Sequence, residues 1–136
     1  FHPGGILGKK LYLRVSDLSS ANEKPAVLPE ANLKEVIVEM TKKRLGTTVV
    51  ISKTNAVLGI ITDGDLRRML EKGNDFTAIT AKDIMSAHPK TIAADAMATE
   101  ALDILKANNI SQLVVTQNEV YAGIIHLHDL IREGII

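Results

Sequence analysis

The chain carries the same pattern twice. Gly59-Ile60-Ile61-Thr62-Asp63-Gly64-Asp65-Leu66 recurs as Gly123-Ile124-Ile125-His126-Leu127-His128-Asp129-Leu130. Val15-Ser16-Asp17-Leu18 recurs as Ala81-Lys82-Asp83-Ile84. The offset is about 65 residues each time, and such a period marks units that cannot bury an apolar face alone. A chain of 136 residues fits one compact domain or two very small subdomains that share a core.

Between the repeated motifs the local patterns also recur. Leu33, Val36, Ile37 and Met40 fall at i, i+3, i+4 and i+7, one face of a helix. Asn32 is placed to cap it and Gly46 to stop it. Ala98, Ala101, Leu102 and Leu105 repeat the stripe behind a poorer start, where Met97 stands in the place of Asn32. Each helix is followed by two β-branched runs, Val49–Ile51 with Val57–Ile61 and Leu113–Val115 with Tyr121–Ile125. A second helix closes each half; the first starts at Asp63, read as its cap, and the second covers Asp129 to about Glu133. Short strands are expected near Val27-Leu28 and Thr91-Ile92, kept short by Pro25, Pro29 and Pro89. The expected fold class is α+β: two β-α-β-β-α repeats, each a three-stranded half-sheet, packed with pseudo-twofold symmetry. The expected boundaries are a linker over residues 1–13, repeat 1 over 14–78 and repeat 2 over 79–136.

Composition removes several classes of function. Sixteen basic residues balance sixteen acidic ones, so the basic excess of a phosphate-binding surface is absent. Aromatics make up 3%, too few for a platform that stacks single-stranded bases. There is no cysteine, hence no disulfide, no thiol nucleophile and no thiolate metal site. No apolar run approaches the ~20 residues of a membrane helix, and a reducing cytoplasm is the expected location. No nucleophile elbow or lysine-bearing phosphate loop occurs, so no catalytic residue is assigned. His126-Leu127-His128 invites a metal reading. Two histidines flanking a strand end would point to opposite sides if that strand continued, though, and zinc needs three or four ligands, so no metal is expected.

The doubled pattern resembles the CBS domain, a β-α-β-β-α unit used in tandem as a Bateman module. That family's last strand enters its helix through Gly-x-x-Thr/Ser-x-x-Asp. Gly59 to Asp65 fits it fully, and Gly123 to Asp129 departs only in placing His126 where Thr or Ser is usual. Lys82-Asp83-Ile84-Met85 is similar to the family's opening. Phe1-His2-Pro3-Gly4-Gly5-Ile6-Leu7-Gly8 resembles the joint between the sugar-isomerase domain and the CBS pair in D-arabinose 5-phosphate isomerases of the KpsF/GutQ type. The resemblance implies a fragment of such an enzyme, which serves Kdo and lipopolysaccharide synthesis. The catalytic domain would precede this chain, and His2 would be a remnant of the sugar site.

The resemblance also implies a ligand. In CBS domains the residues matching Thr62 and Asp65 hold the phosphate and ribose of a nucleotide, while the residues themselves allow a plainer reading, capping of the following helix. Ala26 and Val27 would offer main-chain bonds and an apolar wall to a base, with Thr91 in the corresponding place of repeat 2. His126 and Asp129 form the altered twin of the Thr62–Asp65 pair. The expected ligands are adenylates, AMP or ATP, or a nucleotide sugar such as CMP-Kdo. A homodimer is expected, with no cofactor, nucleic acid or membrane partner. The alternative is a dimerisation scaffold without ligand.

Overall fold

In a computed structural model, residues 11–73 and 75–135 are described, and the sequence repeat reappears as a repeat of elements. Lead-in helix α1 (Val15–Ser19) precedes β1 (Ala26–Val27), α2 (Leu33–Lys43), β2 (Thr47–Ile51), β3 (Val57–Thr62) and α3 (Asp63–Glu71). Lead-in helix α4 (Ala81–Ile84) and strand β4 (Ser86–Ala87) precede β5 (Thr91–Ala93), α5 (Ala98–Asn108), β6 (Gln112–Gln117), β7 (Val120–His126) and α6 (Leu127–Arg132). The class is α+β, with two mixed sheets ordered β1-β2-β3-β4 and β5-β6-β7.

The registers confirm the equivalence. Ala26 lies opposite Val49 in a parallel pair, and Thr91 lies opposite Val114 in another. A parallel pair needs a crossover, which α2 and α5 supply. Strands β2 and β3 are antiparallel, with Thr48 facing Ile61 and Val49 facing Ile60. Their turn closes through Ser52 N–H to Ala56 O at 2.9 Å.

Three local expectations are corrected. Helix α2 does begin behind Asn32, whose Oδ1 accepts the Glu35 N–H at 2.8 Å. It ends at Lys43, however, with Arg44 itself in the left-handed region at φ 61°, two residues before Gly46. Helix α3 is capped by Thr62 and not by Asp63. The first sheet has a fourth strand: Ser86 and Ala87 pair with Ile60 and Gly59. Gly59 makes that possible, since a Cβ there would sit 2.9 Å from Ser86 O and 2.5 Å from Met85 Sδ. The glycine admits a neighbouring strand, a use that the motif alone does not reveal.

The compact units are not the sequence halves. One unit gathers residues through Asn22, Lys90–Asn118 and those from Ala122 onward; it is called here the repeat-2 unit. The other, the repeat-1 unit, comprises Glu23–Pro89 and Glu119–Tyr121. Each lead-in helix therefore belongs to the body of the other repeat. Val15 and Ser16 N–H groups donate to Ala96 and Ala94 carbonyls at 2.8 and 2.9 Å. Ala81 and Lys82 donate to Ala31 and Pro29 carbonyls at 2.8 and 2.9 Å. These are first-turn N–H groups, which no helix can satisfy internally.

Each unit has its own core. Val15 and Leu18 pack with Ala98, Ala101, Leu105, Leu113, Val115 and Ile125 in the repeat-2 unit. Ala81 packs with Val36, Met40, Val50 and Ile61 in the repeat-1 unit, with Ile84 and Leu66 against them. In the repeat-1 unit, Tyr121 donates its N–H to Asn55 O at 2.8 Å and its hydroxyl to Pro25 O at 2.6 Å. Burial, and then Glu39, push the Tyr121 phenol above its ordinary range.

One core atom is badly placed. Thr48 is fully buried, and among the described residues its Oγ1 has no hydrogen-bond partner. The register equates Thr48 with Leu113, a fully buried core residue one position before Val114. An isosteric apolar side chain avoids the desolvation of the hydroxyl. Thr48→Val is predicted to stabilise the protein by about 1 kcal/mol, raising the melting temperature by roughly 4 °C. A lower melting temperature in calorimetry would contradict this.

Candidate functional site

Strand β3 runs into α3 through an extended Thr62 at φ −111° and ψ 168°. The backbone leaves the sheet there, and the first N–H groups of α3 have no partner within the helix. Thr62 Oγ1 accepts the Asp65 N–H at 3.3 Å, and Asp65 Oδ2 accepts the Thr62 N–H at 2.9 Å. The two side chains also meet, Oγ1 to Oδ2, at 3.1 Å. This is a capping box closed by an acidic residue. The pair singled out in the sequence thus caps α3, while Asp63 is exposed in the first turn and sends its N–H to Gly46 O at 3.2 Å.

Capping does not use up the carboxylate. Asp65 Oδ1 accepts Arg68 Nη2 at 2.7 Å, and Ser86 Oγ approaches it at a long 3.5 Å. Arg68 is 67% exposed and Asp65 10%, so the anion is enclosed while its cation reaches solvent. Both line a groove of about 280 Å³ with Met69, Lys72, Ile79, Asp83 and Ile84. One wall is α3 and the other is the lead-in helix α4. The Thr80 N–H and hydroxyl, bonded to Asp83 at 2.9 and 3.0 Å, hold that carboxyl below its ordinary range. The groove offers two anionic acceptors, two exposed cations and apolar flanks. Such a set suits a ligand carrying hydroxyls and a phosphate.

The twin site is built alike and tied more tightly. His126 caps α6, with Nδ1 accepting the His128 N–H at 3.0 Å. Asp129 Oδ2 accepts the His126 N–H at 2.8 Å and Asn22 Nδ2 at 2.8 Å, while Oδ1 accepts Arg132 Nη2 at 2.7 Å. Asp129 is 5% exposed, and its groove, about 130 Å³, is lined by Asp17, Leu18, Ala21, Asn22, Arg132 and Glu133 besides. The rings of His126 and His128 lie 4.4 Å apart. They would diverge along a continuing strand, but β7 ends at His126 and α6 starts at Leu127. Among the described residues, no group of three or more histidines and carboxylates is placed to hold a metal.

Other residues expected at the site lie elsewhere. Ala26 and Val27 line a separate groove with Glu30, Glu35 and Glu39, and the Ala26 N–H already donates to Glu39 Oε2 at 3.0 Å. Thr91 is exposed at the start of β5. His2 lies outside the described residues. Sequence reasoning missed Asp83, Ile84 and Asn22 as groove residues, although the Asp17/Asp83 recurrence was the signal for the first of them.

Comparison with known proteins fits this geometry. Residues 15–72 and 81–135 each match the CBS domain family. The arabinose 5-phosphate isomerase KdsD of Pseudomonas aeruginosa is 42% identical over 99% of this chain, and that of Yersinia pestis is 37% identical over 99%. The chain spans 42% of the length of either relative. Among solved structures, a CBS domain protein from Pyrobaculum aerophilum complexed with AMP superposes with a TM-score of 0.75 at 22% identity, over 87% of this chain and 90% of that one. No helix among the described residues is long and apolar enough to cross a membrane.

The histidine cap makes the twin site sensitive to acid. Burial, and then His128, hold His126 below its ordinary value of 6.5, with Asp129 opposing. The unfolded chain therefore binds a proton at a pH where the folded chain does not. The resulting stability is complete above about pH 6.5 and is lost as pH falls below it. Protonation of Nδ1 would also remove the acceptor for the His128 N–H. His126→Thr, which restores a hydroxyl cap, should lose less stability than the wild type between pH 7.5 and pH 5.5 in urea titrations. Equal losses would contradict the assignment.

Proposed function

Because this chain belongs to the CBS domain family, we propose that it is a ligand-sensing regulatory module with no chemistry of its own, and that a nucleotide binds beside Thr62 and Asp65. The single observation that carries the reading is the Asp65 carboxylate. It is held by the α3 cap, yet among the described residues its Oδ1 is shared only with an exposed arginine and a distant serine. A ribose diol could take the place of Arg68, which would then be free to meet a phosphate with Lys72. The AMP complex of the Pyrobaculum relative supports an adenylate as ligand.

The likeness to KdsD proteins supports a parent enzyme of the arabinose 5-phosphate isomerase type, with 14–78 and 79–136 as the two regulatory repeats and a cytoplasmic location. For such a parent a nucleotide-activated sugar of the CMP-Kdo kind would be a fitting feedback ligand. Regulation requires that ligand bind two states of the parent with different affinity.

A second reading, a dimerisation scaffold, is favoured by apolar side chains left in solvent. Ile37 and Val38 on α2 are 41% and 53% exposed, and Leu70 on α3 is 50% exposed. A homodimer is compatible with either reading.

Calorimetry of AMP, ATP, CMP and CMP-Kdo distinguishes them. Asp65→Asn keeps an acceptor for the Thr62 N–H, so α3 stays capped, while the charge-assisted bond to the ligand is lost. The expected cost is roughly 1.5–3 kcal/mol, ten- to a hundredfold in affinity. If none of the four ligands gives heat or raises the melting temperature at millimolar concentration, the scaffold reading replaces the sensing one.

A further inference from the structure

Helix α3 carries apolar side chains, yet none of its nine residues is buried, whereas its counterpart α6 buries Asp129 and Leu130. Away from the Asp65 groove, Asp63 and Leu66 of α3 line a second groove of about 390 Å³ with Ile37, Met40, Thr41 and Arg44 along and just past α2. Leu70 continues the α3 side and is 50% exposed, and Ile37 is 41% exposed. The repeat-2 unit covers the same place with its own side chains. By the stripe, Leu102 is the counterpart of Ile37, and it is 9% exposed. By the motif, Asp63 and Glu71 stand where that unit has Leu127 and Ile135, which pack on the core containing Leu102. With two acidic residues in place of two apolar ones, repeat 1 keeps an apolar helix face that nothing among the described residues covers.

That face is its own complement. Asp63 donates its N–H to Gly46 O at 3.2 Å, so the end of α2 and the start of α3 lie together, and both helices lead away from that point along the groove. Arg44 and Asp63 are exposed at the shared end, and among the described residues neither side chain is in an ion pair. Two helical turns away, at the other end, stand Ile37 and Leu70. A twofold axis laid along the groove sets α2 of one chain on α3 of a second copy. It brings Arg44 to Asp63 of that copy and Ile37 to its Leu70, and each contact occurs twice. Charges that find opposite partners under such an axis select a second copy as the occupant over an unrelated chain.

We propose that the α2–α3 face of repeat 1 pairs with the same face of a second copy, Ile37 on Leu70 and Arg44 on Asp63, and that the matching helices of repeat 2 take no part. This rests on the homodimer expected of the chain and not on the nucleotide reading of the Asp65 groove.

The test is sedimentation of the whole chain, without nucleotide, across the micromolar range. The wild type should be a dimer. Leu70→Lys should be a monomer that circular dichroism shows to be folded. Ile131→Lys, at an exposed apolar position on α6, should remain a dimer. Arg44→Asp and Asp63→Arg should each raise the dissociation constant about tenfold, since each sets like charges together twice. Mixed in equal amounts, these two variants should regain most of the wild-type affinity, because the mixed pair has one native and one reversed contact. An ion pair within one chain gains nothing on mixing, so this arm decides the matter if Leu70→Lys folds poorly. A wild-type monomer, a dimer that survives Leu70→Lys, a dimer lost equally with Ile131→Lys, or a mixture no tighter than its components overturns the inference. Nucleotide calorimetry decides the Asp65 reading separately, and its failure leaves this result untouched.

Discussion

The fold depends on an exchange of backbone hydrogen bonds at the two lead-in helices. The first-turn N–H groups of α1 end on Ala94 and Ala96, and those of α4 end on Pro29 and Ala31. Each acceptor lies in the loop before the long helix of the other repeat. An unpaired buried N–H costs about 1–3 kcal/mol, so the four bonds are expensive to break together. Val15 and Ala81, fully buried, lock the same arrangement through packing. Neither sequence repeat is complete without a helix supplied by the other, which is why the period of the sequence and the compact units of the fold differ.

The exchange also makes the grooves. The walls beside Asp65 come from α3 of one repeat and α4 of the next, and those beside Asp129 from α6 and α1. In each groove the carboxylate is the third residue of a helix whose first turn it helps to cap. A side chain committed to the cap is held without rotamer freedom, and a pre-ordered acceptor binds a ligand at lower entropic cost. Capping and binding are therefore compatible roles for Asp65, since its second oxygen faces the groove. At Asp129 the capping oxygen also accepts the Asn22 amide, and the second oxygen accepts Arg132.

Much of this was legible in the sequence, and most of what was missed is long-range pairing. Val49–Ile51 and Leu113–Val115 declare strands because β-branched side chains suit a pleated, buried surface. Asn32 declared the start of α2 through its own geometry. The cap of α3 was misassigned because Thr62 and Asp63 are equally good by local rules; only the return bond from Asp65 decides between them. Strand β4 left no trace, since Ser86 and Ala87 are exposed and carry no apolar signal. The reach of Asn22 to Asp129 spans 107 residues of chain, and the two lead-ins are too alike for any local pattern to say which body each joins. Apart from the ends of α2 and α3, chemistry within a few residues was readable; pairings across the repeat were not.

Native-state hydrogen exchange on the lead-in amides tests the exchanged architecture most directly. Val15 and Ser16 should exchange as slowly as Leu113, Val114 and Val115, and with the same denaturant dependence. Ala81 and Lys82 should follow Val50 and Ile61 in the same way. Exchange of Val15 and Ser16 at the rate of an isolated helical turn would contradict the account, as would their opening in step with the repeat-1 core.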